Sequence, residues 1–141
     1  MSSESNQRQS KYMQVQTVKQ SGEYGEIEGV GKKISRIFLG TAISPFLDGK
    51  EADVLLDQMY ALGINAFDSA RGYGLSESVL GRWVKHRKNR EEVVILTKCG
   101  NATPTGTVHI DRHVMTNELK RSLSELGTDY VDILLLHRDD V

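Results

Sequence analysis

"INAFDSARGYG", residues 64–74, starts as a buried strand and turns polar within a residue. Asp68 closes the apolar run, and Tyr73 follows five residues later between two glycines. An acid and a phenol at a strand exit suit a fold that does its chemistry at the carboxyl ends of strands. Whether this segment belongs to such a fold depends on what flanks it.

Three further runs read as strands, "ISRIFLG" at 34–40, "VVILTK" at 93–98 and "VDILLLH" at 131–137. Each is apolar without alternation, the pattern of a strand buried on both faces. Helical spacing fills the gaps between them. Asp48 and Glu51 form a capping box ahead of Leu55, Leu56, Met59, Tyr60 and Leu62, and Gly63 stands at the C′ position. Ser76 reads as the cap of a second helix with Val79, Leu80, Trp83 and Val84 on one face. Asp111 caps a third, with Met115, Leu119, Leu123 and Leu126 inward and Gly127 at its end. Upstream, Met13, Val15 and Val18 alternate with polar residues, and Gly22, Gly25, Gly29 and Gly31 mark turns, so an N-terminal hairpin is expected. Residues 1–10 hold no apolar pattern and are expected to be disordered.

The order β-α-β-α-β-α-β implies a parallel sheet covered by helices. Two α/β architectures fit, an open doubly wound sheet and a (β/α)8 barrel of TIM type. No Gly-x-Gly-x-x-Gly and no phosphate-loop motif follows the first strand, which counts against a nucleotide-binding open sheet.

Composition narrows the function classes. The 141 residues carry 18 Lys and Arg against 19 Asp and Glu, a formal net charge of -1, which gives no reason to expect nucleic acid or an anionic membrane as partner. The run from Lys85 to Arg90 is met at once by Glu91 and Glu92 and reads as a solvated helix end. A single cysteine, Cys99, allows no internal disulfide and fits a reducing, cytoplasmic setting. No apolar run nears the ~20 residues of a membrane span, and no signal peptide is recognisable. His109 and His113 are divided by the cap residue Asp111, and no metal site is expected there. By strand alternation Cys99 points away from Lys98 and reads as core, as does Trp83. Glu77, just inside the second helix, reads as a complement to the helix dipole.

Reading the strand ends in turn gives Gly40, Thr41 and Ala42, then Asp68 with Tyr73 behind it, then Lys98, then His137 followed by Arg138, Asp139 and Asp140. The first four polar side chains with chemistry to offer are Asp68, Tyr73, Lys98 and His137, and together they are coherent. A phenol titrating near ~10 is a poor acid at neutral pH. A neighbouring ammonium favours the phenolate. A buried ammonium needs a counter-charge, which Asp68 supplies. A histidine can orient a substrate oxygen. Such a set protonates an oxygen as it becomes an alkoxide, which is what carbonyl reduction by a hydride donor requires.

"FDSARGYG" at 67–74, "ILTKCG" at 95–100 and "LLLHRDD" at 134–140 resemble the catalytic segments of the aldo-keto reductases. "SRIFLGTA" at 35–42 is similar to that family's first strand, and "SESVLGRW" at 76–83 to its second helix. Ser69 stands where the family often has threonine, which keeps the hydroxyl. The resemblance implies a (β/α)8 barrel that transfers a hydride from NADPH to an aldehyde or ketone. Tyr73 would be the general acid, Lys98 its activator, Asp68 the partner of Lys98, and His137 the group that orients the carbonyl. Thr41, Ala42 and Asp68 would border the cofactor, and the N-terminal hairpin would close the barrel's bottom.

A full barrel takes ~250 residues, so residues 11–141 read as the N-terminal half of one, with four strands and three helices. The family holds the adenosine phosphate of its cofactor with loops after the seventh and eighth strands, which are not among these. Two expectations follow, a piece of a longer reductase or a non-catalytic half-barrel with a binding or regulatory role. A structural α/β domain without ligand would require the four strand-end residues to be accidental. The unpaired outer strands expected of a half-barrel predict self-association. Expressed alone, these residues should aggregate, dimerise or stay loosely packed on size exclusion; a compact monomer that melts cooperatively would contradict this.

Overall fold

The computed structural model describes residues 24–101 and 110–138. Residues 1–10, Met13, Val15, Val18, Gly22, His109, Asp139 and Asp140 lie outside them, so the expectations placed on those positions are not addressed by the structure.

A two-stranded antiparallel ribbon comes first, β1 (Tyr24–Gly25) against β2 (Ile34–Ser35). Gly29 and Gly31 turn the chain between them at φ +86° and +70°. Four parallel strands follow in sequential order: β3 (Phe38–Gly40), β4 (Ala66–Asp68), β5 (Val94–Cys99) and β6 (Ile133–Leu136). Helices α1 (Asp53–Ala61), α2 (Ser76–Arg87) and α3 (Arg112–Leu126) connect them.

The sheet has two different faces because side chains alternate along a strand. Leu39, Phe67 and Ile95 point to the helices and join Leu56, Val79, Leu80, Trp83, Val84 and Leu126 in the larger core. Trp83 meets Phe67 edge-on at 5.3 Å and donates its indole N–H to Asp57 at 2.8 Å, so the ring is buried without an orphaned donor. Phe38, Ala66, Val94 and Ile133 point the other way and pack with Ile34 and Val30 of the ribbon. The ribbon thus covers the amino-terminal end of this second face, with strands other than the Met13–Val18 segment expected for a hairpin, which lies outside the described residues. Leu135 and Leu136 of β6 stay about half exposed.

Several local expectations need correction. "ISRIFLG" is not one strand. The Ser35 hydroxyl donates to the Ile37 carbonyl and its N–H to Asn65, which bends the chain at Arg36–Ile37 and divides the run between ribbon and sheet. Asp48 and Glu51 form no capping box. Asp48 accepts from the Ser44 hydroxyl and pairs with Lys50 in a turn that buries Phe46, and α1 begins only at Asp53 with no side-chain cap. Leu62, read as part of the helical spacing, lies after the helix ends and is exposed. Ser76 is not the cap of α2; Leu75 holds that position, and Ser76 is buried in the first turn. Asp111 does cap α3, accepting from the Val114 N–H.

The basic run also reads differently in three dimensions. Arg90 is not solvated. Its guanidinium stacks 3.7 Å over the Tyr130 ring and pairs with Asp132 at 2.9 Å, and Lys32 pairs with the same carboxylate at 2.8 Å. Asp132 also accepts from the Ile95 N–H, so this buried acid has two cations and a backbone donor.

Gly81 marks the tightest helix contact. A Cβ there would lie 2.4 Å from the Leu126 carbonyl oxygen, where α2 crosses the end of α3. Overpacking of this kind costs ~1–3 kcal/mol, against a gain of ~1 kcal/mol from replacing glycine within a helix. The obstacle is backbone and cannot swing away, so Gly81→Ala should lower stability. Urea unfolding checks this, and a stabilised variant would contradict the packing.

Candidate active site

The strand registers put the polar residues together. Gly40 pairs with Asp68, Asp68 with Leu96, and Lys98 with Leu135. Lys98 lies two residues beyond Leu96, and His137 two beyond Leu135. A shift of two preserves the side-chain face. Asp68, Lys98 and His137 therefore step diagonally across one face, the one turned from the helices, at the carboxyl ends of three adjacent strands. The stagger is the one that tilted barrel strands require.

Lys98 is the hub. Its side chain is 12% exposed, ion-pairs with Asp68, and donates to the Ser69 carbonyl at 2.9 Å and the Tyr73 hydroxyl at 3.4 Å. The ammonium also lies 4.8 Å from the centre of the Tyr73 ring. Tyr73 meets His137 edge-on, with centroids 5.4 Å apart and planes at 88°. All four expected side chains thus share one place, with the ammonium beside the phenol.

The loop after β4 is built to hold Tyr73 there. Arg71 N–H donates to the Lys98 carbonyl at 3.2 Å, Tyr73 N–H to Ala70, and Ser76 N–H back to Tyr73. Gly72 passes so close to Asn101 that a Cβ would lie 2.1 Å from its amide nitrogen, and Gly74 adopts φ +55° against the Leu47 carbonyl. Neither position accepts a side chain without rearrangement.

Thr41 and Ala42 divide the expectation made for them. Thr41 is fully buried; its N–H and hydroxyl both donate to the Asp68 carbonyl at 3.0 Å, and the Ser76 hydroxyl donates to its carbonyl at 3.2 Å. Ser76 also reaches the Ser69 hydroxyl at 3.1 Å. Three hydroxyls therefore fasten the ends of β3 and β4 to the first turn of α2, and Ala42 alone of the pair offers exposed surface.

Glu77 is more than a dipole complement. It is buried, accepts from Arg71 at 2.9 Å and from the Thr97 hydroxyl at 2.7 Å. The sequence held a signal for this, because Glu77 lies one turn before Leu80 and Gly81 and a heptad before Val84, on the buried side of the helix. Cys99 is buried as expected, and that burial, with the Glu118 charge added, pushes its thiol above the ordinary range. Among the described residues no group of three or more His, Cys, Asp or Glu could hold a metal, and no helix is long and apolar enough to cross a membrane.

Four parallel strands joined by helices, with the polar side chains gathered at the strands' carboxyl ends, define part of an α/β barrel. The chain belongs to the aldo/keto reductase family, whose model matches residues 36–141. It is 31% identical over 122 residues to aldo-keto reductase AFTS1 of Alternaria alternata, covering 67% of this chain and 33% of that protein. A Pseudomonas aeruginosa structure assigned to the aldo-keto reductases superposes with a TM-score of 0.67 at 32% identity, over 82% of this chain and 47% of that one. The holo form of an aldo-keto reductase from Bacillus halodurans gives 0.66 at 29% identity, over 81% and 39%. The chain spans a quarter to two-fifths of the length of three curated relatives it matches.

Burial, then the charges of Lys98 and Arg138, holds His137 below the ordinary histidine value of 6.5, with Asp68 and Glu118 opposing. The unfolded chain therefore takes up this proton at a higher pH than the folded one. The His137 contribution to stability is complete above about 6.5 and is lost as pH falls below it. Thermal unfolding followed from pH 7.5 to 5 should show a steeper decline for the native chain than for His137→Asn; parallel curves would contradict the assignment.

Proposed function

We propose that these residues form the reacting end of a carbonyl reductase, taking an aldehyde or ketone to an alcohol at the expense of NADPH. The observation that carries this reading is the Lys98 ammonium, held by Asp68 and within reach of the Tyr73 hydroxyl, with His137 against the tyrosine ring.

The residues present fit one end of such a cofactor. Ala42 is exposed at the end of β3, Asp68 is 38% exposed at the end of β4, and the polar cluster lies beside them. Among the described residues the cations nearby are Arg71, Lys98 and Arg138, and the first two are committed to Glu77 and Asp68. The fit is therefore to the nicotinamide, with Ala42 and Asp68 as its borders. NADPH when bound supplies the hydride.

The chain's own residues do the rest. Among the described residues, the buried Nδ1 of His137 has no hydrogen-bond partner. An orphaned acceptor is tolerated better than an orphaned donor, which supports a neutral ring with its proton on Nε2. That N–H would hold the carbonyl oxygen. Tyr73 then gives its phenolic proton to the oxygen as charge develops there. Lys98 stabilises the phenolate left behind, and Asp68 balances Lys98 in the ground state so that no buried charge is unpaired.

In the intact protein, Tyr73→Phe removes the proton while keeping the ring. Reduction of 4-nitrobenzaldehyde, followed by NADPH absorbance, should fall by ~10²–10⁴-fold, the typical worth of a positioned acid. NADPH affinity from fluorescence quenching should stay within about threefold, since the hydroxyl serves the transition state rather than ground-state binding. Turnover retained in this variant would sink the reading.

A further inference from the structure

We propose that Glu77 is a positioning residue, a brace that reaches through the sheet from α2 and fixes the spacing between Tyr73 and Lys98. The role rests on the carbonyl-reductase reading given above.

Glu77 and the reacting groups lie on opposite sides of β5. Lys98 is on the face turned from the helices, and its neighbour Thr97 points to the helices by strand alternation. One carboxylate oxygen of Glu77 accepts from the Thr97 hydroxyl at 2.7 Å. The other accepts from Arg71 Nη1 at 2.9 Å. Thr97 immediately precedes Lys98, and Arg71 is two residues before Tyr73. One side chain thus grips the strand of the ammonium and the loop of the phenol, an atom for each. The Arg71 backbone closes the square by donating to the Lys98 carbonyl.

Complementing the dipole of α2 would require only a negative charge near the first turn, and exposure would suffice. Glu77 instead has a side chain 2% exposed, which is costly for a carboxylate unless every oxygen is engaged. Its partners belong to two different elements, so what it fixes is their relative placement. The distance it governs is the 3.4 Å between Lys98 Nζ and the Tyr73 hydroxyl, already at the outer limit of a hydrogen bond. A slack loop would lose that contact first.

Glu77→Gln tests the brace, because an amide oxygen still accepts from Thr97 but the amide nitrogen cannot pair with Arg71. Arg71→Met tests the other end at a side chain 28% exposed, and decides the matter if Glu77→Gln fails to fold. The readout is the nuclear Overhauser contact between the Tyr73 and His137 rings, which needs no turnover. Measured in the intact protein, it should weaken several-fold in both single variants while the fold is retained. In the double variant it should weaken no further, since each residue acts through the other. In the intact protein kcat should drop by roughly 10-fold or more with KM for the aldehyde little changed, because misplacement of a reacting group by ~1 Å can cost 10²-fold. An undiminished ring contact in the folded variants overturns the brace and leaves the reductase reading standing. A weakened ring contact supports the brace, and it does so even if the native protein reduces no carbonyl.

Discussion

Burying an ammonium imposes the constraint on which the rest of this structure depends. Lys98 has nearly all of its side chain beneath a loop, so its charge must be met there by an anion and by oxygens. Asp68, the Ser69 carbonyl and the Tyr73 hydroxyl are the groups that meet it. Each belongs to the segment that leaves β4, which therefore cannot wander from β5. The glycines on either side of Tyr73 allow the loop to fold that tightly. The hydroxyl chain Thr41–Ser76–Ser69 fastens the same segment to β3 and α2. An ion pair of this kind is weak evidence for stability, but it is a strong determinant of where a phenol can go.

A sheet with unlike faces makes this arrangement possible. Aromatic and aliphatic residues on the helix side supply the cohesion, with Trp83 at their centre. The other face is apolar at its amino-terminal end, where the ribbon covers it, and polar at its carboxyl end. Stability and chemistry are thus separated along the strands as well as across them. The cluster of Lys32, Arg90, Tyr130 and Asp132 belongs to the first of these tasks. It ties the ribbon to the segments before β5 and β6 through a buried carboxylate.

Membership in the aldo/keto reductase family gives the strand-end cluster its natural context, and the likeness to solved members extends over most of the chain. The four strands seen here correspond to less than half of those structures. The polar side chains of the strand-end cluster, Asp68, Tyr73, Lys98 and His137, all come from these four strands and the loops that leave them.

The sequence by itself determined the order of strands and helices, the buried face of α2, the inward end of α3 at Leu126, and the four polar residues at strand exits. It did so because apolar runs and 3.6-residue spacing are local signals, and because a chain has few ways to close parallel strands. Tertiary structure alone decided the two-residue stagger between neighbouring strands, which turns Asp68, Lys98 and His137 into one diagonal. It also decided the true start of α1, since Asp48 was drawn into a turn by Ser44 and Lys50. Ser76 looked like a cap and became a buried link, and Arg90 looked solvated and became half of an ion knot. In each case a polar side chain had a nearby partner that sequence distance concealed. Glu77 shows the reason most clearly. Its helical position marked it as buried, but the two groups that make burial tolerable come from a loop and a strand 6 and 20 residues away. Only folding brings them to the same carboxylate.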